Sequence, residues 1–149
     1  MVPEDVVPEL PLAALLRAAR TTIRRAIRSA LEDAGYEDLP ANGPYVLSAI
    51  SVAGVPLAVI IERLGLSKQA AGHLVDLLVL RGYLDRQVDP EDRRRLVVLP
   101  TDRGMAAAQV IRQTAELLEA NLVAVVGDAA LQTTRRTLAC LGTIDGVDA

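Results

Sequence analysis

Three consecutive arginines, Arg93, Arg94 and Arg95, follow the turn Asp89-Pro-Glu-Asp92. Planar guanidinium groups in such a row can grip phosphate or enter a groove of negative potential. Asp92, two residues before Arg94, shares its face of a hairpin and can hold that guanidinium in one pose. A second set follows Ser67, where Lys68, Gln69, Gly72 and His73 stand close together. The Gln69 amide can pair donor and acceptor with an adenine edge, and the His73 imidazole can donate to guanine acceptors. Lys68 suits a phosphate better. Gly72 costs about 1 kcal/mol relative to Ala in a helix unless something must approach closely. The plain alternatives are a solvated loop and a solvated helix face, so the surrounding elements decide.

Other chemistries are poorly served. No nucleophile with a base, no carboxylate pair in a cleft and no phosphate-cradling glycine loop occurs at a useful spacing, so an enzyme is not expected. With one cysteine and one histidine, far apart, neither a disulfide framework nor a metal site is expected. No cofactor is called for. Cys140, in the last helix, reads as a buried, inert thiol.

The elements that position these residues are helical. Of 149 residues, 51% are hydrophobic, which is enough for a core, and Ala, Val, Leu and Ile dominate, with no Phe or Trp. Residues 39–61 carry no charge, a length that could span a bilayer, but Pro40, Gly43, Pro44, Gly54 and Pro56 break it into two buried helices of a soluble domain. The first residues show no secretory pattern, so the protein is expected in the cytoplasm. The net charge is −3, yet 63–103 holds eight Lys/Arg against six Asp/Glu. Any polyanion contact belongs there.

Apolar residues at helical spacing from Leu12 to Leu31, opposite Arg17, Arg20, Arg24 and Arg28, predict a long amphipathic first helix that Gly35 stops. A short helix from Tyr45 to Ser51 follows. A third starts with Pro56 in its first turn and ends at Gly65. Ser67 caps a fourth, Lys68 to Arg81, closed by Gly82. Helices joined by Gly65-Leu-Ser67 have the form of a helix-turn-helix. Leu84 to Val88 and Leu96 to Leu99 read as strands flanking the arginine tip. Thr101 or Asp102 caps a long helix with a heptad seam at Gly104, Ala108, Ile111, Ala115, Leu118, Leu122 and Val125, which predicts a partner helix. A final helix follows Gly127-Asp128.

This order resembles the MarR family of bacterial transcriptional regulators. The resemblance is carried by Arg81-Gly-Tyr-Leu-Asp-Arg86, Asp89-Pro-Glu-Asp-Arg-Arg94 and Leu96-Val-Val-Leu-Pro-Thr-Asp-Arg-Gly104, with Leu64-Gly-Leu-Ser67 and Ser67-Lys-Gln-Ala in support. Pro100 departs from the family's pattern and predicts a second wing strand that ends one residue early. The resemblance implies a mainly α fold with a small β-hairpin wing, a winged helix-turn-helix in an interleaved helical homodimer. It implies dimerisation helices at 12–34 and 102–142 around a DNA-binding lobe at 39–101. The function implied is a sequence-specific regulator, a repressor in the first instance, acting on a palindromic operator in double-stranded DNA. A small-molecule effector of unknown identity could release it, and no membrane is involved. DNA contacts are expected from Ser67, Lys68, Gln69, Gly72 and His73 on the recognition helix and from Asp92, Arg93, Arg94 and Arg95 on the wing. The alternative is a winged-helix module that binds another protein through its apolar seam.

Overall fold

The computed structural model describes residues 10–50, 54–64, 67–89, 92 and 96–143. The chain forms two compact units, one of residues 24–114 and one of 1–23 with 115–149. Helix α1 (Leu12–Asp33) is followed by α2 (Gly43–Ala49), strand β1 (Val55–Pro56), α3 (Leu57–Leu64) and α4 (Lys68–Leu80). Strands β2 (Leu84–Val88) and β3 (Leu96–Pro100) form a hairpin, and α5 (Asp102–Val126) and α6 (Asp128–Leu141) complete the chain. The fold class is the expected one, mainly α with a small antiparallel wing.

Three of the boundaries that differ from the expectation have a local reason. Helix α2 begins at Gly43, because Pro44 takes a first-turn position where its missing N–H is no loss. Pro56 lies in β1, paired with Val97, rather than in the first turn of α3. Pro100 stays in β3 opposite Leu84 instead of ending the strand early. The sheet order is β1-β3-β2, but β1 reaches only Val97 and Val98, so Pro100 has no β1 neighbour whose hydrogen bond it would forfeit.

The larger unit has an aliphatic core. Leu31 of α1, Val46 and Leu47 of α2, Ile60 of α3 and Leu74, Val75 and Leu78 of α4 meet Leu84, Val98 and Ile111 around the fully buried Tyr83. Helix α4 ends where Gly82 takes φ +72, a left-handed conformation that glycine adopts without a Cβ penalty. The Tyr83 N–H then donates to the Leu78 carbonyl at 2.9 Å and the Gly82 N–H to that of Val79 at 2.9 Å. This closure turns the chain directly into β2, so α4 and the wing share one corner.

In the smaller unit no described residue is buried. Leu12, Leu117, Leu122, Val125, Val126, Leu138 and Leu141 are exposed. Cys140 is exposed too, not buried as expected, and lines an open groove with Leu12, Thr133, Arg136, Thr137 and Leu141. The expected seam divides accordingly. Gly104 and Ile111 are buried in the larger unit and Ala108 packs against its core, while Leu122 and Val125 face outward.

Candidate nucleic-acid interface

Helix α4 starts at Ser67, which sits at φ −61 and ψ 151 and whose Oγ accepts the Ala70 N–H at 3.2 Å. That bond satisfies one of the amides a helix start leaves open. The first turn carries no acid, and Lys68 is exposed beside the remaining amides. A positive helix end with a lysine and no carboxylate suits an anion. The inward stripe is Ala71, Leu74, Val75 and Leu78, all buried. The outward stripe is Gln69, His73 and Asp76, all exposed, with a half-buried Gly72 among them. A Cβ on Gly72 would meet nothing within 4 Å. Packing among the described residues therefore does not require glycine at this outer position.

The wing is a five-pair antiparallel ladder from Leu84 opposite Pro100 to Val88 opposite Leu96. Arg86, in the middle of β2, reaches back to α4, where its Nη2 lies 2.5 Å from Asp76 Oδ1. Its Nε is buried and has no hydrogen-bond partner among the described residues. The neighbouring Asp85 accepts the Arg86 backbone N–H at 2.8 Å. Asp92 is exposed, and Arg93, Arg94 and Arg95 fall outside the described residues.

Behind the helix and wing lies a polar hub. The Tyr83 hydroxyl donates to Asp38 Oδ1 at 2.5 Å, and Arg103 Nη2 donates to the same oxygen at 2.8 Å. Arg103 also stacks its guanidinium 4.3 Å from the Tyr83 ring centre and donates to the Arg81 carbonyl at 2.7 Å. Arg81 in turn donates to the Asp38 carbonyl. Burial, reinforced by the bond to Asp38, pushes the Tyr83 phenol up to about 12. The same bond, aided by the Arg103 charge, holds Asp38 below the usual carboxylate range. Thr101 joins hub to helix, since its Oγ1 donates to the Gly82 carbonyl at 2.6 Å and accepts the Gly104 N–H at 3.0 Å. Of the two expected caps for α5, Thr101 is the one that acts. A Cβ on Gly104 would lie 2.0 Å from the Tyr83 carbonyl oxygen, so only glycine lets α5 approach this closely.

Of the residues singled out in the sequence, Ser67, Lys68, Gln69, Gly72 and His73 thus lie on one helix, with all four side chains exposed. Two features escaped the sequence reading. The hub joins Asp38 to residues 45 and 65 positions away, and no local pattern announces so distant a contact. The Asp76 to Arg86 pair was also missed, although Asp76 falls on the outward stripe and the alternation of β2 puts Leu84 and Arg86 on one face. Among the described residues no cluster of His, Cys, Asp or Glu could hold a metal ion, and no helix is long and apolar enough to cross a membrane.

A family model described as MarR family matches residues 38–95. That segment runs from the hub aspartate to the wing tip, and over it the resemblance drawn from the sequence holds. No curated protein matches the chain. Solved structures do, and they show the fold. FabT of Streptococcus pneumoniae, in complex with DNA, superposes with a TM-score of 0.75 at 14% identity, over 87% of this chain and 91% of its own. MepR of S. aureus, also in a DNA complex, gives 0.73 at 18% identity, over 89% and 97%. CouR of Rhodococcus jostii RHA1, bound to p-coumaroyl-CoA, gives 0.70 at 23% identity, over 90% and 93%.

Proposed function

We propose that this chain, with a MarR-family lobe at 38–95 and a MarR-type fold, is a DNA-binding transcriptional regulator and not an enzyme. The observation that carries the reading is the outward stripe of α4. A serine-capped helix presents Gln69 and His73 around a glycine that no contact among the described residues explains, next to a hairpin with an arginine-rich tip. A helix of this kind fits the major groove, with its early side chains at base edges, while the wing reaches the adjacent minor groove. Lys68 and the amides after Ser67 suit phosphates. Arg94, steadied by Asp92 between Arg93 and Arg95, is the side chain assigned to the minor groove.

The working unit is a homodimer built from the helices at 12–34 and 102–142, with the lobe at 39–101 carrying the DNA contacts. Uncovered Leu117, Leu122 and Val125 support a partner of the same kind. Two copies of α4 related by a two-fold axis call for a palindromic operator with half-sites about one helical turn apart. Repression is the direct consequence of occupying such a site. That CouR carries a CoA ester and that MepR and FabT occur on DNA support a small-molecule effector and a duplex partner here. The site of action is the cytoplasm.

Duplexes recovered from a random pool test the reading, followed by titration of variants against the recovered sequence. Gln69→Ala should cost about 1–3 kcal/mol and relax preference at particular bases if its contact is bidentate. Arg94→Ala should weaken binding with folding and assembly intact. Indifference of the purified protein to every duplex at low salt would instead favour a protein-binding module, because contact with phosphates must show a steep salt dependence.

A further inference from the structure

An acid on the face of a helix that meets DNA is a liability, since its carboxylate repels the phosphates on either side of the groove. Asp76 is such an acid, on the same exposed stripe as Gln69 and His73, with 59% of its side chain accessible. Its charge is met from the wing. Arg86 is only 30% exposed, extends from β2 opposite the fully buried Val98, and places Nη2 2.5 Å from the Asp76 carboxylate. The other acid near Arg86, Asp85, is turned to the backbone, where it accepts the Arg86 N–H, and to the side chain of Gln87 at 3.4 Å. The Arg86 guanidinium therefore faces Asp76, while its buried Nε has no hydrogen-bond partner among the described residues.

We infer that Arg86 is a positioning residue for DNA binding, which cancels the Asp76 charge on the duplex-facing stripe and fixes the spacing between recognition helix and wing without itself touching the nucleic acid. The inference rests on the regulator reading above. A group leaves its partner charge uncompensated when it is truncated, and that uncompensated charge, more than the lost pair, sets the penalty.

The test measures affinity for the duplex that the wild-type protein recovers from a random pool, at several salt concentrations, with thermal unfolding of each variant as the check on folding. Arg86→Gln should bind roughly tenfold more weakly, and the Arg86→Gln, Asp76→Asn double variant should regain most of that loss. Arg86→Lys, which keeps the charge, should stay within about threefold of wild type. The slope of log affinity against log salt should fall for Arg86→Gln and return to the wild-type value in the double variant. A slope that stays smaller by about one in the double variant would make Arg86 a phosphate contact and overturn the inference. So would a double variant no better than Arg86→Gln, or an Arg86→Gln protein that binds as wild type does. A wild-type protein that retains no duplex would overturn the regulator reading itself, and is told apart by needing no variant. Should Arg86→Gln unfold, Asp76→Asn paired with Arg86→Lys measures the same coupling on folded protein.

Discussion

Single residues separate what the lobe needs for folding from what it holds ready for a partner. Gly72 is not of the first kind, since a Cβ there meets nothing within 4 Å among the described residues. Gly72→Ala should raise the stability of the lobe by about 1 kcal/mol in a denaturant titration and lower affinity for the recovered duplex in the same preparation. A variant that is both more stable and equally tight would remove close approach as the reason for the glycine. Tyr83 belongs to the first kind. Its phenol is neutral in both states below pH 10, so the hub's contribution is fully present there, and it is lost as pH rises toward about 12, where the folded protein must surrender the proton. On the acid side the sign reverses, because Asp38 is held low, and its contribution disappears as pH falls through its folded-state value. Tyr83→Phe should flatten the alkaline limb of a stability profile and Asp38→Asn the acid limb.

At the scale of elements, the helices with strong local punctuation were legible and the contacts between distant segments were not. Ser67 and Gly82 announce α4 because cap and closure are written within a few residues of its ends, and the apolar stripe of Ala71, Leu74, Val75 and Leu78 announces its buried face. Strand β1 is different. Val55-Pro56 carries no strand pattern and becomes one only because β3 lies beside it, so the reading of Pro56 as a helix start had nothing local to contradict it. The outward residues of α4 were legible by periodicity alone, whereas the ion pair that ties them to β2 depends on how helix and strand pack. The start of α5 offers a direct check of such packing. Gly104→Ala drives a methyl into the Tyr83 carbonyl, and overpacking of this order costs about 1–3 kcal/mol. The Tm should fall accordingly, with loss of the Thr101 cap showing as faster amide exchange in the first turn of α5.

The whole molecule presents a contrast between a unit with a closed core and a unit with none of its described residues buried. In the proposed two-fold dimer the exposed leucines of α5 and α6 are covered, and each such side chain counts twice. Leu122→Glu should therefore weaken the dimer by about 3–6 kcal/mol, seen as dissociation in sedimentation equilibrium at concentrations where wild type stays paired. An unchanged mass would show that another face does the pairing. The absence of tryptophan from this chain gives the Tyr83 to Asp38 bond one more consequence. Tyrosinate absorbance that appears near pH 12 reports the Tyr83 phenol in the centre of the winged unit, so an unlabelled protein carries its own optical gauge of whether that centre is shut, readable along an alkaline titration.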